Sequence, residues 1–241
     1  MRRPDLPRGC RLVSAVLSAL YPSACPACKN PTDTIAFAPF CRDCWSGITR
    51  YTGPSCDLCA LPLVSQYATR CGECFSRQPP HSSVLNFGLY SGNLREAISL
   101  LKFSRVRRLA KPLGRFLSEL AIPHMDGIVP VPLTARALRQ RGFNQTLLLA
   151  RVLSRLTKVP VSMDLLYKKR ETLPQIGLGA KERQSNLRGA FKVVGNARGK
   201  RLILLDDVMT TGATVRECSK ALIRAGAKEV VVVTLARASL E

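Results

Sequence analysis

Two adjacent carboxylates, Asp206 and Asp207, stand between the apolar run Leu202-Ile203-Leu204-Leu205 and the short segment Val208-Met209-Thr210-Thr211-Gly212-Ala213-Thr214. An apolar run of this length reads as a buried strand. Such a strand delivers the acids to its carboxyl end, where ligands bind in open α/β sheets. The small, hydroxyl-rich loop that follows leads into a helix expected over 214–225. A helix N-terminus, with its free N–H groups and positive dipole end, is a ready phosphate site. Carboxylates accept hydrogen bonds from sugar hydroxyls, so the stretch suits a ribose 5-phosphate, with ribose on the acids and phosphate in the loop. A Walker A loop would need a Gly-Lys-Ser/Thr ending that is absent here. The plainer readings are a strand followed by a capped helix, or an acid pair holding a metal.

Cysteine carries the second chemistry. Cys25/Cys28, Cys41/Cys44, Cys56/Cys59 and Cys71/Cys74 form four CxxC knuckles, separated by 12, 11 and 11 residues. One CxxC turn points two thiolates at a common centre, and two turns complete a tetrahedral four-cysteine zinc site. Four knuckles therefore predict two structural zinc ions. Sequential pairing gives two stacked ribbons; cross-braced pairing would interleave them, and sequential pairing is favoured. A disulfide scaffold is the alternative, but CxxC pairs suit a reducing cytosol. Four thiolates leave no position for water, so the metal is structural rather than catalytic. The segment has few apolar residues, so metal is expected to supply much of its folding free energy. Cys10 and Cys218 stand apart from the array.

The elements that must position these groups follow from pattern. Pro79-Pro80 divides the chain into a cysteine-rich segment, 23–80, and a larger α/β domain, 84–241, with 1–22 as an N-terminal helical segment. Leu85 to Tyr90 alternates as a strand, and Leu94, Ala97, Ile98 and Leu101 have helical spacing, ending in the positive Lys102. Gly127 to Pro132 is a short buried strand, followed by a helix from about 134 to 156. Strands at 165–167 and 190–193 flank a long polar loop. Strand 201–206, the helix after the acids, and strand 230–235 complete a strand–helix–strand unit. Strands alternating with helices predict a doubly wound, mostly parallel sheet.

Charge is uneven. The net charge is +21. Residues 1–80 carry 9 Lys/Arg against 5 Asp/Glu, and residues 81–241 carry 28 against 11. The excess lies with the acid-pair domain and favours polyanionic ligands, whether a pyrophosphate, nucleotides or nucleic acid, over a merely solvated surface. No apolar run reaches the roughly 20 residues of a membrane span. Arg2, Arg3, Arg8 and Arg11 before Leu12 to Leu20 look like a short signal peptide. Because Cys25 belongs to the knuckle array, an amphipathic helix packing on its own protein is the preferred account, and the chain reads as cytoplasmic.

The stretch from Leu202 to Thr214 resembles the phosphoribosyl pyrophosphate (PRPP) motif of type I phosphoribosyltransferases, in which apolar residues and two acids precede V-x-T-T-G-x-T. More of the chain resembles the ComF/GntX family. The carriers are Arg139-Gln-Arg141-Gly142-Phe143-Asn144-Gln145 after a V-P-V-P strand, Lys169 to Gln175 and Arg183 to Phe191; the N-terminal CxxC array, the Lys102-Phe103 turn and the PRPP motif follow one another in the order that family shows. Nearly the whole chain is covered.

The resemblance implies that Asp206 and Asp207 hold the ribose 2- and 3-hydroxyls, and that Val208, Met209, Thr210, Thr211, Gly212, Ala213 and Thr214 wrap the 5-phosphate. It places a pyrophosphate loop at Val131-Pro132-Leu133, within reach of Arg139 or Arg141. It also places a basic flap over 168–188, where Arg183 would close on the ligand. Mg²⁺ would accompany PRPP, and the implied reaction is substitution at the anomeric carbon with pyrophosphate leaving. Three functions stay open: a phosphoribosyltransferase with an unidentified acceptor, a single-stranded-DNA-binding protein, and an adaptor whose ribbons dock on a translocase or helicase. The family resemblance links the chain to DNA uptake in natural transformation or to nucleotide salvage. Trp45 and a few Tyr and Phe are the available base-stacking platforms.

Overall fold

The computed structural model describes residues 24–32, 36–170 and 187–239. The N-terminal helix, Cys10, and the flap residues Lys181 and Arg183 lie outside the described residues. The cysteine-rich segment comes first and repeats itself. A bridge between Ala24 and Pro31 closes the first ribbon and one between Ser55 and Pro62 closes the second. Each ribbon continues into a one-turn helix that opens just after a cysteine, α1 (Arg42–Ser46) and α2 (Gly72–Ser76).

The α/β part begins with β1 (Ser83–Leu89), α3 (Gly92–Lys102) and α4 (Ala110–Ser118), followed by β2 (Gly127–Pro130). The expected single helix after β2 is instead two: α5 (Ala135–Arg141) and α6 (Gln145–Thr157). The cause is local. Gly142 takes φ 77°, a left-handed cap that side-chain-bearing residues adopt at a cost. Asn144 then restarts the helix, its side-chain oxygen accepting from the N–H groups of Thr146 at 3.0 Å and Leu147 at 3.4 Å.

β3 (Leu166–Lys168) and β4 (Phe191–Val193) pair antiparallel as a separate two-stranded sheet. β5 (Arg201–Met209), α7 (Ala213–Arg224) and β6 (Glu229–Arg237) complete the chain. The main sheet is parallel throughout, in the order β1-β6-β5-β2. This is the expected α/β architecture, with β5 running three residues further than the sequence pattern indicated. Among the described residues, no helix is long and apolar enough to cross a membrane.

Both faces of the sheet are covered, so its central strands carry continuous apolar runs, Leu202 to Leu205 in β5 and Val230 to Val233 in β6. Ile203 and Leu205 of β5 pack with α3, α4 and α6, while Leu202 and Leu204 pack with α7. The cysteine-rich segment joins both clusters rather than standing off. Cys25, Phe40, Trp45 and Ile48 enter the first; Cys56, Leu58, Cys59, Cys71 and Cys74 enter the second. Trp45 stacks between Phe37 and Phe116 at 5.4 Å from each, and Phe116 stacks in turn on Phe87 of β1 at 4.4 Å. Trp45 is therefore committed to packing and is not a base-stacking platform. The ribbons also bury aromatic and aliphatic side chains against the sheet, packing that adds to what metal supplies.

Candidate functional site

Side chains alternate along a strand, so the two acids continue opposite faces of β5. Asp207 falls on the Ile203 face, beneath the ends of α3 and α6. Its carboxylate is 2% exposed. Lys102 Nζ, at the C-terminus of α3, approaches its two oxygens at 3.4 and 3.3 Å, and Gln145 Nε2 donates to Oδ2 at 2.9 Å. Val208 N–H donates to Oδ1 at 2.8 Å. Arg141 reaches the same group indirectly, donating to Gln145 Oε1 at 2.6 Å.

Electrostatics divide the pair. Burial presses upward on Asp207, but the Lys102 ammonium and the hydrogen bonds from Gln145 and Val208 outweigh it and hold this carboxyl below its usual range. Lys102 is pushed up, chiefly by Asp207. Asp206 is pushed up to about 8, first by burial and then by the Asp207 charge. Near neutrality the pair is thus one charged acceptor beside one carboxylic acid that can also donate, a set that matches a vicinal diol.

The shift has a sign that can be tested. An unfolded Asp titrates near about 3.9, whereas native Asp206 titrates at about 8. Between those values the native state binds more protons, so this group's stabilisation is complete below the lower value and is lost as pH rises through the upper. Asp206→Asn removes that loss. Relative to wild type the variant is expected to gain up to a few kcal/mol between about pH 5 and about pH 9, read by urea unfolding. Parallel stability curves would contradict the assignment.

The segment quoted around Arg139 builds the neighbouring wall. Asn144 Nδ2 and Thr146 Oγ1 both donate to the Val131 carbonyl, at 3.2 and 2.8 Å, which ties the start of α6 to the loop after β2. Arg107 donates to the Gly142 carbonyl at 3.2 Å and lies over the Phe143 ring at 4.7 Å, and Arg105 donates to the Gln140 carbonyl at 2.6 Å. Arg141 is half-buried facing the acid pair's support, while Arg139 is exposed on α5.

After the acids, Val208, Thr210, Thr211 and Thr214 are half-buried and Met209, Gly212 and Ala213 buried. Gly212 has φ 74°, and a Cβ there would stand 2.5 Å from Met209 Cε, so the turn into α7 requires glycine. Gly212 has no side chain to cap α7; the Ala213 N–H donates to Thr211 Oγ1 at 3.4 Å, and the helix start presents its positive dipole end to an anion.

Three residues at this site had no assigned role in the sequence reading: Lys102, Gln145 and Arg237. The first two occur in quoted segments, and their meaning appears only when α3 and α6 close over β5. Arg237, at the end of β6, is 2% exposed. Its guanidinium donates to the carbonyls of Cys59 at 2.9 Å, Met209 at 3.1 Å, Ala238 at 2.6 Å, and Thr210.

The cysteines assemble sequentially. The Sγ atoms of Cys25, Cys28, Cys41 and Cys44 lie within 4.8 Å of one another, as do those of Cys56, Cys59, Cys71 and Cys74. A tetrahedral zinc with Zn–S near about 2.3 Å sets sulfurs about 3.8 Å apart. The Cys28–Cys41 and Cys59–Cys71 pairs, each at 3.6 Å, fit that spacing. Burial acts to raise Cys25, but N–H donors from Cys28, Cys41 and Ala27 win and lower it to about 6. Burial raises Cys59 to about 11, and it raises Cys74 further still. Four crowded thiols with divided acidities are what a dication would turn into four thiolates. Cys218 lies on the buried face of α7, its thiol pushed up by burial.

Two family models match the chain, a double zinc ribbon domain over residues 16–75 and a phosphoribosyl transferase domain over residues 142–239. Among its relatives, the DNA utilization protein YhgH of Escherichia coli (strain K12) is 34% identical over 226 residues, covering 90% of this chain and 97% of its own. Competence protein F of Haemophilus influenzae is 33% identical over 217 residues, covering 85% and 93%. Competence protein ComFC of Streptococcus pneumoniae is 29% identical over 200 residues, covering 82% and 87%.

Proposed function

We propose that this chain, which belongs to the ComF/GntX family, binds PRPP or a closely related phosphoribosyl ligand. The observation that carries the reading is the Asp207 carboxylate. It is buried, charged and held by Lys102 and Gln145 at the end of β5, just before the loop that opens α7. Asp207 accepts from one ribose hydroxyl, and protonated Asp206 complements the neighbouring one. The N–H groups around Thr210 to Thr214 take the 5-phosphate. Lys102 and Arg141 meet the pyrophosphate, and Arg183 of the flap joins them. Mg²⁺ arrives with the ligand's own oxygens, and the acid pair fits it as a carboxylate outer partner, since this ion keeps water and phosphate oxygens in preference to a full protein cage. The two four-cysteine centres hold structural zinc, and their thiols suit a reducing cytoplasm.

Thermal unfolding tests this. PRPP with Mg²⁺ at 100 times its Kd should stabilise the protein by about 2.7 kcal/mol, with no comparable effect from ribose lacking phosphates. An unmoved transition would remove the reading.

The names of the relatives, DNA utilization and competence, support a role connected with DNA. A second reading, direct binding of single-stranded DNA, is favoured by one observation. Phe103 is 61% exposed, with Arg141 and Lys102 over its ring at 5.7 and 5.8 Å. Aromatic faces beside cations are how single strands are held, with strong salt dependence.

A further inference from the structure

The second four-cysteine centre and the phosphate loop share one buried cation. Arg237 turns Nε to one carbonyl and Nη1 to three, and among the described residues no carboxylate pairs with it. A guanidinium stays charged in a protein, so burying one is tolerable only where its donors are satisfied in a fixed geometry. One acceptor is the carbonyl of Cys59, a member of the centre; two others are Met209 and Thr210, which open the loop. Register puts them together, because Arg237 of β6 pairs with Met209 of β5.

The consequence is directional. In a trans peptide the C=O and N–H point opposite ways. Pinning the Met209 and Thr210 carbonyls on Arg237 therefore turns the N–H groups of Thr210 and Thr211 away from the ribbon. A second tie runs in parallel. Arg216, in the first turn of α7, donates to Glu73 Oε1 at 3.3 Å and to the Arg77 carbonyl at 3.4 Å, gripping the short helix between Cys71 and Cys74. All four cysteines of this centre are buried in the apolar cluster that contains Met209, Ala213 and Val215. The first centre is tied elsewhere: its Cys44 carbonyl accepts from Asn93 of α3 at 2.8 Å, and it lies in the other cluster, with Cys28 exposed.

We propose that Arg237 is a positioning residue that couples the second four-cysteine centre to the loop, so that metal there shapes the ligand site and ligand retards loss of that metal. The ligand half rests on the phosphoribosyl reading; the loop half does not. Coupling between two sites is reciprocal, which makes both directions measurable.

The test uses zinc-loaded full-length protein as wild type, Arg237→Gln and Arg237→Lys. Hydrogen exchange follows the loop. A chromogenic chelator follows zinc release, and pulsed alkylation identifies which cysteines are freed. In Arg237→Gln, exchange across 210–214 and release from the Cys56/Cys59/Cys71/Cys74 centre should both quicken about tenfold, the scale of one charge-assisted hydrogen bond. Exchange in 202–205 and release from the first centre should stay as in wild type. Arg237→Lys, which keeps the charge and one donor direction, should fall between, and it decides the matter if the Gln variant does not fold. In wild type, PRPP should slow release from the second centre alone. Unchanged loop exchange and release, or equal acceleration at both centres and across the sheet, would overturn the coupling. If PRPP fails to bind wild type, the phosphoribosyl reading falls, while the exchange and release data still decide the role of Arg237.

Discussion

Asp207→Asn is expected to weaken PRPP binding about 100-fold, some 2.7 kcal/mol, while leaving the protein folded. The affinity loss has two parts. The charged acceptor for the ribose disappears, and hydrogen bonds to charged groups contribute about 1.5–3 kcal/mol each. The amide's own N–H₂ would also face Lys102 and Gln145, two donors that now meet a donor. The fold survives because Lys102 is 26% exposed and can turn to water, while Leu94, Ala97, Ile98 and Leu101 keep α3 in place. Asp207→Ala is harsher, since it strands Gln145 and a partly buried cation, and breaking such a pair costs about 3–5 kcal/mol. Calorimetry and urea unfolding on the two variants separate these effects. Wild-type affinity in Asp207→Asn would exclude the ribose role.

The second large effect concerns metal. Metal analysis should return two zinc ions per chain, and a chelator should remove them in two phases. The first should come from Cys25, Cys28, Cys41 and Cys44, where Cys28 is exposed and Cys44 half-exposed; the second centre is buried throughout. Loss of the second should carry the sheet's circular dichroism with it, because its cysteines share an apolar cluster with β5 and α7. Structural zinc binds with about 10–16 kcal/mol, and a domain's whole stability is about 5–15 kcal/mol. Cys74→Ser should therefore leave little folded protein. Acid should act in the same direction, since protons compete for thiolates. A ratio of one zinc, or a fold indifferent to chelation, would contradict the account.

Sequence pattern reached the chemistry more readily than its supports. The acid pair, the loop and the cysteine knuckles are contiguous signals, and the knuckles pair sequentially, the favoured arrangement, though spacing alone did not decide against cross-bracing. The Lys102–Asp207 ion pair spans 105 positions, and no local spacing announces it. It exists because α3 returns to the sheet from edge strand β1 and ends over central strand β5. Gln145 gained its role only through the break at Gly142, which the helical periodicity of 134–156 concealed. The left-handed glycine followed by asparagine was a readable stop and restart signal. Arg237 fell beyond the strand expected over 230–235; β6 runs two residues further, and parallel register beside Met209 places Arg237 there. Trp45, read as a stacking platform, is packed between two phenyl rings, a fate that the ribbon's own sequence does not reveal because Phe116 comes from α4.

The central claim is that the acid pair and the loop after it form one phosphoribosyl site. Calorimetric titration of PRPP with Mg²⁺ into zinc-loaded wild type, beside Asp206→Ala/Asp207→Ala verified as folded, tests it most directly. The account predicts saturable binding to one site per chain in wild type and none in the double variant. Equal binding by both proteins, or by neither, would contradict it.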